Sequence, residues 1–308
     1  MALLFDGLFA LLRPAAFGVV VLGSGMAALP VTLLAQETGG AQERGGAEAV
    51  PAEVVAEVAT LVETMQIGQI IEVLREEGLA YGQTLEDDMF PGAGGPGWLA
   101  TVGMIYDGGR MQEAFVASLE RELAANPAGI AQMEGFFASD LGQRVLTLEL
   151  EARRALLDEA TEEGAKAAWD ELRTAGGPRL DLLERFSSTN DLIESNVMGA
   201  LNSNLAFYKG MTEGGAFGGE MTEDQMLADV WGQEADIRTQ TADWLFPYLT
   251  LAYGPLSDED LTAYIAFSAS PAGQQLNAAL FAAFDDVFTP ISKALGLAVA
   301  KQMQGQDI

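Results

Sequence analysis

The sequence predicts an all-α protein, a helical bundle formed from two related multi-helix repeats, and three observations carry that expectation. Apolar residues recur at three- and four-residue spacing through the chain after residue 50, the period that lays one stripe along a helix. Alternating apolar and polar runs bounded by turn residues, which would mark strands, are missing. The residues that start helices recur in the same order in both halves.

Composition bounds what such a bundle can do. At 308 residues and 49% hydrophobic, the chain is long and apolar enough for a substantial core. It contains neither cysteine nor histidine. That excludes disulfides, thiolate or imidazole metal sites, serine–histidine and cysteine–histidine catalysis, and a lipid anchor on cysteine. Forty-five acidic against sixteen basic side chains leave a net charge of −29. A field of that sign repels phosphate, so neither nucleic acid nor an anionic membrane surface is an expected partner. Most of the charge reads as the solvated surface of helices. No cofactor is expected.

Taken in order, the chain begins with an address label. Ala15 to Leu34 carries no charge, follows Arg13-Pro14, and gives way through Leu33-Leu34-Ala35 to Gln36-Glu37. A basic flank, an apolar run and a small residue before a polar start are the parts of a secretory signal. Residues 1–35 are therefore expected to be cleaved near Ala35, because Gly23, Gly25 and Pro30 weaken a membrane helix. The alternative is a single N-terminal anchor, since the stretch is long enough to span a bilayer. Asp6 and the apolar run before Arg13 are irregular for a signal and point to a start codon assigned too far upstream. Removal of one acid and one base keeps the mature charge at −29. The expected destination in a two-membrane bacterium is the periplasm, without stable membrane insertion after cleavage. A polar, Gly-rich linker occupies residues 36–50.

A first repeat is read over 51–176 and a second over 177–308. Val54, Val58, Leu61, Val62 and Met65 share one helical face. Asn126-Pro127 reads as an N-cap with proline in the first turn, and Ser139-Asp140 opens another helix thirteen residues later. In the second half Ser257 and Asp260 form a capping-box pattern beside Leu256, a staple residue, and Ser270-Pro271 follows thirteen residues on. Both starts are displaced by 131 residues. At that displacement Ile130 meets Leu261, Met133 meets Tyr264, Phe136 meets Phe267, Val145 meets Leu276, and Leu156 meets Val287. Gly142-Gln143 likewise meets Gly273-Gln274. Upstream the offset shortens to 126, pairing Ile67 with Ile193 and Leu79-Ala80-Tyr81 with Leu205-Ala206-Phe207. A Gly-rich loop follows in each half, 91–97 and 214–219. Helical period alone would match apolar positions but would not place caps in register, so duplication is expected.

The stretch from Leu256-Ser257-Asp258-Glu259-Asp260-Leu261 to Phe267-Ser268-Ala269-Ser270-Pro271-Ala272-Gly273-Gln274 resembles exported bacterial proteins of the domain of unknown function 2059 family. The likeness is strongest over 256–288. Phe136 to Gln143 looks like a degraded copy with Asp140 in the proline position. The family typically carries one copy, so a tandem pair departs from it. The resemblance implies a helical, exported protein and carries over no activity or catalytic residue. The motif residues themselves read as structural. Ser139 and Ser270 satisfy free backbone donors, and Pro271 suits a first turn. Phe136 and Phe267 are expected to close a corner between helices, while Gly142 and Gly273 admit a close neighbour.

Chemistry-bearing candidates are few. Carboxylates cluster at Glu86-Asp87-Asp88, Glu162-Glu163, Asp258-Glu259-Asp260 and Asp285-Asp286, and none has the spacing of a calcium loop. Asp258 to Asp260 suit a helix first turn. The loop from Pro91 to Gly97 lacks the Lys-Ser/Thr and the preceding strand of a phosphate cradle and reads as a flexible connector. Trp98, Trp169, Trp231 and Trp244 read as core, although Trp244 to Tyr253 is dense enough in aromatics to form a partner surface. Asn202-Ser203-Asn204 marks a kink or a buried polar contact. The function expected is a periplasmic binding or scaffolding module for a protein, peptide or envelope component. The alternative is a carboxylate-dependent hydrolase of envelope glycan, which requires two acids about 5–10 Å apart in one cleft.

Overall fold

Helix follows helix with short connections in a computed structural model that describes residues 50–218 and 221–305. The expected signal and nearly all of the linker lie outside the described residues. Among the described residues no strand occurs. No single helix there is long and apolar enough to cross a membrane.

The first half comprises α1 (Ala52–Thr64), α2 (Ile67–Met89), α3 (Gly95–Ile105), α4 (Gly108–Ala124), a 3-10 turn at Pro127–Gly129, α5 (Ile130–Phe137) and α6 (Asp140–Ala155). Helix α7 (Glu159–Ala175) connects to α8 (Pro178–Thr189), α9 (Leu192–Glu213), α10 (Glu223–Gly232), α11 (Glu234–Tyr253), α12 (Asp258–Ser268) and α13 (Pro271–Met303). The α1 stripe is buried as its period requires, with Val58, Leu61 and Met65 fully enclosed. Between α1 and α2 Gln66 takes a left-handed conformation (φ 58°), and between α8 and α9 Asp191 does the same (φ 50°). These are the only non-glycine residues with positive φ among the described residues, and a side chain makes that region costly. The two corners lie 125 residues apart, one fewer than the offset read from the sequence.

Two helix starts differ from their sequence pattern. Asn126 does not cap: the chain enters α5 through the 3-10 turn, and the Asn126 carbonyl instead accepts from Gln275 Nε2 at 2.8 Å. Ser257 accepts the Asp260 N–H at 3.0 Å, but the reciprocal half of the capping box is absent because the Asp260 carboxylate faces Arg144 at 3.2 Å. A reciprocal capping box forms at Thr222 and Gln225, opening α10.

The apolar interior divides into two clusters, and α6 contributes buried residues to both. One gathers α1 to α5 with Leu146 and Leu150 of α6 and the buried faces of α9 and α13. The other gathers α8, α11 and α12 with Val145 and Ala152 of α6. Helix α13 thus packs chiefly into the cluster built by the first helices of the chain. The cross-contacts match, α4 against α13 and α11 against α6. Helix α7 lies along α11, where Trp169 stacks on Phe246 at 4.6 Å. Tyr248, Leu249 and Tyr253 are thereby buried, so Trp244 to Tyr253 is core and not the partner surface its composition suggests. Helices α9 and α13 cross closely. A Cβ on Gly296 would fall 2.9 Å from the Phe207 carbonyl carbon, and one on Gly210 would fall 2.8 Å from Leu297 N.

Candidate functional site

The motif residues build two corners with the same bonds. At the α5–α6 corner the Ser139 hydroxyl donates to the Phe136 carbonyl (2.6 Å) and accepts the Gly142 N–H (3.1 Å). At the α12–α13 corner Ser270 donates to the Phe267 carbonyl (2.6 Å) and accepts the Gly273 N–H (3.1 Å). Gln143 Nε2 donates to the Phe137 carbonyl at 2.7 Å and to the Thr64 carbonyl at 3.0 Å. Gln274 Nε2 donates to the Ser268 carbonyl at 2.8 Å and to the Thr189 carbonyl at 2.9 Å. Each glutamine therefore ties its corner to the last residue of the first helix of its half. Such a bond to an otherwise unpaired helix-end carbonyl contributes about 1 kcal/mol.

Phe136 and Phe267 do not close their own corners. Their rings stack on each other, centroids 4.0 Å apart and planes 5° apart. Two residues separated by the 131-residue displacement thus touch face to face. Beside this stack lies a buried polar cluster. Glu149 on α6 is 1% exposed, and its Oε1 accepts from Tyr253 Oη (2.7 Å) and Tyr264 Oη (3.1 Å). Tyr248 Oη donates to the Glu149 carbonyl at 3.0 Å. One turn along, Arg153 grips Glu77 with two bonds of 2.8 and 2.7 Å. Burial above all, with the Glu149 charge second, pushes the Tyr253 and Tyr264 hydroxyls well above the ordinary phenol value. The two hydroxyls stay neutral donors to the Glu149 carboxylate, so the cluster ties α6 to α11 and α12.

Two open features stand out, a shallow depression of about 520 Å³ along α4 and a groove of about 330 Å³ at the seam between α9 and α13. The seam has the more apolar floor, with Met198 44% exposed and Phe281 partly buried, and Asp191, Glu194 and Asp285 line its rim. Two of these acids are shifted in opposite directions. Burial raises Asp285, offset in part by the hydrogen bond from Asn202. The hydrogen bond from Arg238 lowers Glu194. At the equivalent places of the first half, Val73 (198 − 125) and Leu150 (281 − 131) are buried. Where the seam nears the α12–α13 corner, a cavity of about 30 Å³ opens among Phe137, Phe186, Asn190, Tyr264, Ser268 and Asn277.

Other candidates resolve into local roles. The Glu86 carboxylate accepts from Gly94 N (3.1 Å) and Gly95 N (3.3 Å), capping α3 and pinning the loop expected to be a free connector. Glu162 and Glu163 both pair with Lys166, and Asp258 pairs with Arg179. Asp286 accepts from Ser118 at 2.7 Å and Arg121 at 2.6 Å. Asn202 binds Asp285 and Asn204 binds Gln233 from within an unbroken α9, so that triplet makes contacts and no kink. Trp98 is fully buried, its Nε1 donating to the Gly82 carbonyl at 2.7 Å, whereas Trp231 is 55% exposed. Met198 and Phe281 were not singled out by sequence. Each sits on a helix face whose neighbour only the tertiary structure supplies.

A family model described as "Uncharacterized protein conserved in bacteria (DUF2059)" matches residues 109–171. The match runs from α4 into α7 and holds the first corner, Ser139, Gly142 and Gln143, the copy that looked degraded by sequence. No curated protein matches the chain. No solved structure matches it.

Proposed function

Starting from a chain whose residues 109–171 belong to the DUF2059 family, we propose that it is an exported, non-enzymatic helical module that docks a basic, amphipathic segment of a partner protein in the α9/α13 seam. One observation carries the reading: an apolar floor, Met198 and Phe281, edged by Asp191, Glu194 and Asp285 and open only in the second half. A helix laid there puts apolar side chains on the floor and Lys or Arg against the rim. The net charge of −29 steers such a partner toward it. Export is supported by the uncharged stretch from Ala15 to Leu34 behind Arg13. The periplasm is the proposed destination, with a retained N-terminal anchor as the alternative.

The same reading takes the two halves as copies of one unit. Its supports are the left-handed corners 125 residues apart, the matched Ser, Gly and Gln contacts 131 residues apart, and the contacts of α4 with α13 and of α6 with α11. In this reading each half is the other's partner, as in a dimer with exchanged helices joined by α7.

The test compares the mature chain, residues 36–308, with its Met198→Glu variant as immobilised bait in envelope extract. The expected result is a cationic partner retained by the wild type, lost with Met198→Glu, and weakened by salt. Identical retention on both baits would refute the groove. A second reading, hydrolysis of envelope glycan, rests on the opposite shifts of Asp285 and Glu194 in one groove, the pattern of an acid–base pair. Loss of glycan turnover in Asp285→Asn with partner retention intact would favour it.

A further inference from the structure

The two corners differ at three positions that decide whether they are filled or hollow. In the first half Met65, Phe137 and Leu146 are buried at 0%, 2% and 3% exposure. The corresponding residues of the second half are Asn190 (65 + 125), Ser268 (137 + 131) and Asn277 (146 + 131). Long apolar side chains are thus replaced by short polar ones, and a cavity of about 30 Å³ takes their place. That is room for about one or two waters, or for a head group of that size on a thin stem.

Its polar lining offers acceptors. Asn190 Nδ2 donates to the Phe186 carbonyl at 3.0 Å, and Asn277 Nδ2 donates to the Asn190 carbonyl at 2.9 Å. With those donors committed, the two amide Oδ1 atoms and the Ser268 hydroxyl have no hydrogen-bond partner among the described residues. Asn190 is 7% exposed and Ser268 4%, so what little contact they have with solvent is through this space. The remaining walls are apolar, with Phe137, Phe186, Tyr264 and Phe267 on the aromatic side and Leu192, Leu276 and Leu280 on the aliphatic one.

From this arrangement we infer that the cavity binds a primary alkylammonium group. An ammonium carries three N–H donors and no acceptor, matching three free acceptors. Aromatic faces attract a desolvated cation through their ring quadrupoles, and the field of a chain with net charge −29 favours the same sign. An anion would find a single donor, the Ser268 O–H, beside two amide lone pairs and that repelling field. A neutral alcohol supplies one donor and leaves two acceptors unpaired. The cation has two sources, a free alkylamine or the end of a lysine side chain in a bound protein. Because the inference needs no peptide in the seam, it stands or falls apart from the docking proposal.

The experiment titrates the mature chain at physiological salt with n-butylamine, with Nα-acetyl-lysine amide, and with N-butylacetamide as an uncharged control. Calorimetry gives affinity, and the side-chain amide resonances of Asn190 and Asn277 report the site. The informative variant is Asn277→Leu, which installs the residue of the first corner and leaves the charge unchanged. The expected result is saturable binding of at least one amine, shifts of both amide resonances, no binding of N-butylacetamide, and roughly tenfold or greater weakening in Asn277→Leu. Butylamine binding points to a free amine. Binding of the lysine amide alone points to a protein side chain. If amines bind Asn277→Leu as well as the wild type, they are only surface counterions and the inference falls. Should that variant not fold, wild-type titrations that leave both amide resonances unmoved overturn it equally.

Discussion

Replacing Gly273 by alanine tests the corner geometry most directly. A Cβ at this position would lie 2.8 Å from Ser268 Cα and 2.8 Å from the Ser268 carbonyl oxygen, and closer still to the Phe267 carbonyl. All three are backbone atoms of the preceding turn, so no side-chain rotation relieves the overlap. The α12–α13 corner must open by about 1 Å, and overpacking of that kind costs roughly 1–3 kcal/mol. Opening also stretches the Ser270 cap and the two bonds from Gln274. Those three contacts contribute about 1 kcal/mol each, which brings the expected loss to roughly 4–6 kcal/mol if all are lost. The assay is urea unfolding followed by helical circular dichroism, read as a lowered midpoint at unchanged slope. Gly164→Ala is the control. It sits mid-helix in α7 with nothing near its would-be Cβ, so alanine there should stabilise by about 0.5–1 kcal/mol. A Gly273→Ala midpoint within error of wild type would refute the close-approach argument, since two fixed backbones cannot both tolerate the methyl.

Two further outcomes follow from the buried polar groups. Arg153→Met leaves Glu77 buried without its partner and should cost about 3–5 kcal/mol. Adding Glu77→Leu should restore most of that in urea unfolding, and a double variant no more stable than the single one would show the pair is not coupled. Tyr106, Tyr253 and Tyr264 are held above the ordinary phenol value mainly by burial. The unfolded chain releases these protons near pH 10 while the folded chain keeps them. Stability is therefore fully present below ~pH 10 and declines above it, by at most ~1.4 kcal/mol per pH unit for each tyrosine. Unfolding midpoints measured from pH 9 to pH 11, with a shallower fall in Tyr253→Phe, would verify this; a flat profile would contradict it.

Much of the helical organisation was legible because its causes are local. The α1 stripe and the serines at 139 and 270 act within a turn or two of chain, and such patterns survive in a linear reading. The Ser-Gly-Gln pattern read at 139–143 and 270–274 was legible too, and both stretches make the same local bonds. The Asn126 and Asp260 caps were misread because each side chain or carbonyl met a partner more than a hundred residues away, Gln275 in one case and Arg144 in the other. The left-handed corners at Gln66 and Asp191 carried no glycine to announce them. Trp244 to Tyr253 left core and partner surface both open, because nothing in that segment says that α6 and α7 will pack against it.

The candidate sites divide along the same line. Composition alone excluded thiol and imidazole chemistry, since absent residue types do not depend on the fold. Helix class and capping likewise follow from residues near one another in the chain. Which helix completes which core, the stacking of Phe136 on Phe267, and the hollow left by Asn190, Ser268 and Asn277 were decided by the tertiary structure. The physical reason is range: a cap or a stripe is satisfied within a few residues, whereas a groove or a cavity exists only where distant helices meet and fail to fill the space between them.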